Sequence, residues 1–118
     1  MTGVGLTDTR PNPTIRRSRK LDYTMAIALT DLKVLVVDDN KSARNLMKMV
    51  LKGIGINQIY DSPDGKVALD FLGEAPELVD LIVCDWQMPR MTGLEFLQQV
   101  RSVYPDMPFM MVTGKTDL

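Results

Sequence analysis

Leu32-Lys33-Val34-Leu35-Val36-Val37-Asp38-Asp39-Asn40 is the stretch on which the fold turns. A β-branched apolar run without polar alternation reads as a strand buried on both faces, as parallel sheets require. It stops at a polar turn carrying two adjacent carboxylates. Directly after the turn, Ala43, Leu46, Met47 and Val50 recur at helical spacing, and the pattern ends at Gly53 and Gly55.

Downstream the alternation repeats. Residues 56–60 read as a short second strand. Ser62-Pro63-Asp64-Gly65 reads as a turn and helix start, with Pro63 suited to the first helical position. Val67, Ala68, Phe71 and Leu72 form the apolar stripe of that second helix, and residues 74–78, with Pro76, form a loop. Leu81-Ile82-Val83-Cys84 is a third buried strand, entered at Asp80 and left at Asp85. A loop from Trp86 to Met91 holds Pro89. Thr92-Gly93-Leu94-Glu95 fits a capping box, and Leu94, Leu97, Val100 and Val103 or Tyr104 carry the third helix onward. Pro105 and Pro108 bracket the turn into a fourth strand, Phe109-Met110-Met111-Val112, ended by Thr113-Gly114. Met47, Met49, Met110 and Met111 are expected in the core. The order βαβαβαβ predicts an α/β fold with parallel pairing, right-handed crossovers and helices on both sheet faces.

Upstream, residues 1–24 are rich in Thr, Pro, Gly and Arg and lack apolar periodicity, so residues 1–30 are expected to be a disordered leader and residues 31–118 the folded part. Met25 is a candidate start beside Met1. The leader carries five basic residues against two acidic, and the remainder nine against thirteen, within an overall net charge of −1. That balance calls for neither nucleic acid nor a membrane surface as partner. Histidine is absent, which excludes a His nucleophile, base or metal ligand in this chain. Cys84 is the sole cysteine, so no internal disulfide forms, which fits a cytoplasmic setting. No apolar run approaches a membrane span, and the segment after Arg16-Arg17-Ser18-Arg19-Lys20 is too short and polar for a signal peptide.

The acidic residues carry the chemistry. Parallel α/β sheets bind ligands beyond the carboxyl ends of their strands. Asp38 and Asp39 stand at that end of the first strand and Asp85 at that end of the third. Taken singly, an Asp after a strand is a turn or helix cap. If the first and third strands are neighbours, the three carboxylates converge and repel one another unless a cation lies between them, and Mg2+ suits a few carboxylates with waters and a phosphate.

These residues resemble the receiver domains of two-component response regulators. Val34-Leu35-Val36-Val37-Asp38-Asp39-Asn40 is similar to that family's first strand and acidic pair. Cys84-Asp85-Trp86-Gln87-Met88-Pro89-Arg90-Met91-Thr92-Gly93-Leu94-Glu95 is similar to its phosphoacceptor loop, most of all in the single-domain chemotaxis branch. Pro108-Phe109-Met110-Met111-Val112-Thr113 resembles the fourth strand ending in the switch residue. The resemblance implies a flavodoxin-like sheet with the first and third strands adjacent. It makes Asp85 the phosphoacceptor, with Mg2+ held by Asp39 directly, by Asp38 through water, by Asp85, and by the backbone carbonyl of Gln87. Thr113 becomes the switch. Lys115 is either a tuning group or a solvated loop charge. The implied partners are a sensor histidine kinase or small acyl-phosphate donor and a downstream protein, such as a flagellar motor component or an output domain.

Two departures stand out. Thr92 replaces the usual Asp before the Gly, and either residue can cap the helix. The sequence also stops soon after the fourth strand, before the fourth helix, fifth strand, fifth helix and phosphoryl-binding Lys that the resemblance implies. The expected consequence is an edge strand at residues 109–112, poor stability alone, and dimerisation through that edge. Other functions remain in view. One is a degenerate or truncated receiver acting only as a protein-binding module; another is the head of a longer regulator. Gly53-Ile54-Gly55 follows a helix rather than the first strand and lacks the third glycine of a dinucleotide loop. Lys41-Ser42 lacks the glycines of a phosphate loop, and Asp38-Asp39-Asn40 lacks the Asp-x-Asp of haloacid-dehalogenase-like phosphatases.

Overall fold

The computed structural model describes residues 29–112. Within them the order is β1 (Lys33–Val37), α1 (Lys41–Gly53), β2 (Gln58–Ser62), α2 (Gly65–Glu74), a short 3-10 turn (Pro76–Leu78), β3 (Leu81–Asp85), α3 (Gly93–Val103) and β4 (Phe109–Val112). The strands form one parallel sheet in the order β2-β1-β3-β4. The expected α/β class, and the adjacency of β1 and β3, are therefore present. Leu29 lies in a helical turn that includes residues 29–31 and packs against the cluster beneath α1.

The central strands are buried along nearly their whole length, which is why β1 and β3 lack polar alternation. Successive side chains go to opposite faces. Leu35, Val37, Ile82 and Cys84 meet Ala68, Leu72, Phe96 and Val100 of α2 and α3. Val34, Val36 and Val83 meet Leu51 and Ile56 at the end of α1. At the other end of the sheet, Lys33 N–H donates to Asp80 Oδ2 at 3.0 Å and Asp80 N–H to Lys33 O at 2.7 Å, which fixes the entry of β3.

Several sequence expectations are corrected. The second strand begins at Gln58, not residue 56. Ile56 is buried, but its N–H donates to Leu51 O and closes the end of α1, so its apolar character serves the helix end. The strand runs on to Ser62 because Val37 pairs with Ser62 across the sheet. Pro63 precedes the N-cap of α2 rather than occupying its first position; Asp64 is the cap, accepting from Val67 N–H at 2.8 Å. Within α1, Leu46 and Val50 are exposed, and Met47 and Leu51 pack against the core. Met49 and Met110 are exposed too, so neither is core. In α3 the buried residues are Gly93, Phe96 and Val100, while Leu94 and Val103 face outward.

Candidate functional site

The carboxyl ends of β1 and β3 place the acids. Asp85 is the last residue of β3 and is buried, at 7% exposure. Asp38 follows β1 and is partly buried, and Asp39 next to it is exposed. One carboxylate oxygen from each of Asp38, Asp39 and Asp85 lies within 4.8 Å of the others. β1 and β3 are hydrogen-bonded neighbours in register, with Val37 opposite Cys84, so the residues just beyond them are held at the same height.

Local bonding sets each acid's orientation. Asp38 N–H donates to Ser62 O at 3.2 Å, which ties the turn to the end of β2. Asp38 Oδ1 accepts from Asn40 N–H at 2.9 Å, and Asn40 Oδ1 accepts from Ala43 N–H at 2.9 Å as the N-cap of α1. The polar turn thus both starts the helix and aims the acids. The Asp38 carboxyl titrates above its ordinary range. Burial is the chief cause, and the negative charges of Asp85 and Asp39 add to it against the Asn40 N–H and the Arg44 guanidinium.

The loop after β3 is shaped by close approach. Trp86 N–H donates to Val112 O, and Gly93 N–H donates to Trp86 O at 3.1 Å. A Cβ on Gly93 would lie 2.5 Å from Asp85 O and 2.7 Å from Met111 Sδ, so only glycine fits there. Thr92 and Glu95 form the expected capping box of α3. Arg90 takes a left-handed backbone (φ 68°), and Met88 anchors the loop in the core. Asp39, Trp86, Gln87, Pro89, Thr92 and Leu94 border a cleft of ≈ 460 Å³ beside the acids.

Cys84 lies one residue before Asp85, fully buried, with Sγ directed at Asp85 O, 3.2 Å away. Burial first, then the charges of Asp85 and Asp38, push its thiol up to about 12, so it is neutral and a poor metal ligand at ordinary pH. The available donor set is therefore hard oxygen. In an octahedral Mg2+ shell, oxygens at about 2.1 Å from the ion lie at most about 4.2 Å apart. Carboxylate oxygens within 4.8 Å of one another need only slight contraction to reach that geometry. The residues present fit the ion.

The structure brings together Asp38, Asp39 and Asp85, and places Gln87 on the wall of the adjoining cleft. Thr113 and Lys115 lie outside the described residues. Sequence reasoning missed Arg44 and Asp61. Arg44 Nη1 donates to Asp38 O and Nε donates to Asp61 Oδ2, both at 2.9 Å, and Lys48 Nζ lies 3.5 Å from the same Asp61 oxygen. The i, i+4 spacing of Arg44 and Lys48 was readable, but their shared acid on β2 was not.

A family model described as the Response regulator receiver domain matches residues 34–118. A chemotaxis protein CheY homolog of Campylobacter jejuni is 38% identical over 92 residues, covering 74% of this chain and 70% of that protein. Chemotaxis protein CheY-3 of Vibrio cholerae is 33% identical over 92 residues, covering 76% of this chain and 69% of its own length. Among solved structures, chemotaxis response regulator CheY4 of Vibrio cholerae matches with TM-score 0.62 at 38% identity, over 73% of this chain and 71% of that one. The receiver domain of the histidine kinase CKI1 from Arabidopsis thaliana, complexed with Mg2+, matches with TM-score 0.62 at 30% identity, over 75% and 71%. The chain belongs to the response-regulator receiver family. It is a CheY-like receiver of the two-component signalling class, and its four-stranded sheet is that of an incomplete flavodoxin-like fold.

Proposed function

We propose that this chain is a phosphoaccepting receiver, modified on Asp85, with Mg2+ held by Asp38, Asp39, Asp85 and the Gln87 carbonyl. The observation that carries the reading is the convergence of three carboxylates from two adjacent parallel strands. A carboxylate oxygen of Asp85 attacks phosphorus. The bond from phosphorus to the donor's nitrogen or acyl oxygen breaks, its electron pair leaves with the donor, and an acyl phosphate remains. When bound, the metal supplies neutralisation of phosphoryl charge. The chain's own residues do the rest. Asp38 and Asp39 hold the pocket's negative face, the Gly93 close approach fixes the backbone of Asp85, and the cleft beside Trp86 and Leu94 admits the donor.

Thr113 is the expected responder to the phosphoryl group. A chain without histidine draws its phosphoryl from a sensor histidine kinase or a small acyl phosphate. The readout goes to a downstream protein, a flagellar motor component or an output domain, in the cytoplasm. No described helix is long and apolar enough to cross a membrane. The outer edge of β4 offers backbone for pairing with a second copy.

The test follows Trp86, which is half-exposed beside Asp39. Its fluorescence is expected to change with Mg2+, and again with beryllofluoride or acetyl phosphate. Mass spectrometry should then find a hydroxylamine-sensitive phosphoryl group on Asp85, absent in Asp85→Ala. Silence in all three measurements rejects the phosphoacceptor reading. It would favour the binding-module alternative, for which the exposed Leu46, Met49 and Val50 on α1, and Ile54 just after it, speak.

A further inference from the structure

We propose that Arg44 is a positioning residue for the acid cluster, holding the Asp38–Asp39 turn through a bridge to Asp61. The inference rests on the metal reading above and asks what keeps that pocket in shape. Arg44 stands in the first turn of α1, where the helix dipole disfavours a cation. It also stands near the place a dication would occupy, where its charge weakens cation binding. A guanidinium with two electrostatic disadvantages should turn outward to water. Instead its side chain is only 14% exposed.

The hydrogen bonds explain why. Nη1 donates to the backbone carbonyl of Asp38, and Nε donates to Asp61 Oδ2, both at 2.9 Å. Among the described residues, these bonds run to the Asp38 carbonyl and the Asp61 carboxylate rather than to a carboxylate of the acid cluster. Asp61 lies near the carboxyl end of β2, opposite Val36 of β1. The rigid fork therefore ties together the end of β1, the first turn of α1 and the end of β2. Asp61, joined by Lys48 on the same oxygen, gives the guanidinium a carboxylate partner outside the acid cluster.

This gives a sign test. If Arg44 acts through its charge, removing it tightens Mg2+. If it positions the turn, removing it loosens Mg2+, as with other residues that orient metal ligands, by about tenfold. The experiment is a Mg2+ titration of Trp86 fluorescence on the full chain, with amide hydrogen exchange read at Asp39 and Asn40. Arg44→Gln is expected to weaken Mg2+ about tenfold and to speed exchange at both amides. Arg44→Lys keeps the charge but lacks the fork, and should fall between the two. Tighter or unchanged Mg2+ binding in Arg44→Gln overturns the proposal, even if its melting temperature drops.

Should Arg44→Gln fail to fold, Asp61→Asn serves under the same titration. It frees the guanidinium to swing toward Asp38, so weaker Mg2+ binding is expected and unchanged binding overturns the bridge. A wild-type chain that ignores Mg2+ sinks the metal reading itself. A wild-type response combined with tighter variants sinks only the role of Arg44.

Discussion

At the residue scale, Asp38 carries a pH signature. Its folded pKa lies above the ordinary 3.8, so the folded chain keeps a proton that the unfolded chain releases. The stability from that proton is full below the ordinary value and is lost as pH rises through the raised one. In chelator, wild-type stability should therefore fall across that window. Asp38→Asn retains an oxygen to accept from Asn40 N–H and should lack this slope. It should be the more stable protein at neutral pH, the partial exposure of the carboxyl limiting the gain. Urea melts from about pH 4 to about pH 7 check this. A variant less stable than wild type at neutral pH without metal would contradict it. Gly93 makes a different demand. Gly93→Ala drives a methyl into the Asp85 carbonyl and Met111 Sδ, and should cost about 1–3 kcal/mol in a denaturant melt.

At the element scale, the two faces of α1 respond differently to substitution. Leu51 is buried against Val34, Val36 and Val83, so Leu51→Ala should cost about 2–3 kcal/mol. Met49 is 69% exposed, so Met49→Lys should stay within about 0.5 kcal/mol. Equal costs would mean that the packed face has been misplaced. The sequence could not separate these faces, because Leu46, Met49, Val50 and Ile54 are as apolar as the residues that pack. Periodicity fixes the spacing of a stripe, not which of two apolar stripes meets the sheet. β2 was misplaced for a related reason. Ile56 looks like strand yet closes a helix, whereas Asp61 and Ser62 look like turn yet lie in the ladder. β1, β3, β4 and the capping box of α3 were legible because a buried run or a local side-chain bond defines each of them. The acid cluster was legible because its members sit at strand ends and the family resemblance set the first and third strands side by side. Arg44 was not, since its partners come from two other elements.

At the scale of the whole molecule, β4 ends the sheet among the described residues, with Met110 half-exposed on it. An edge of this kind invites strand pairing between copies. Sedimentation velocity should show a concentration-dependent dimer that Met110→Lys suppresses. A wild-type chain that stays monomeric across the concentration range argues against pairing through β4.

The sheet order also bears on synthesis. Of the four described strands β1 leaves the ribosome first, yet it lies inside the sheet. β2 can dock on one flank of β1, β3 on the other, and β4 on β3, each as it emerges. Every newcomer meets a partner already made, so the nascent chain grows outward by accretion and need never open an assembled pair to admit a later strand.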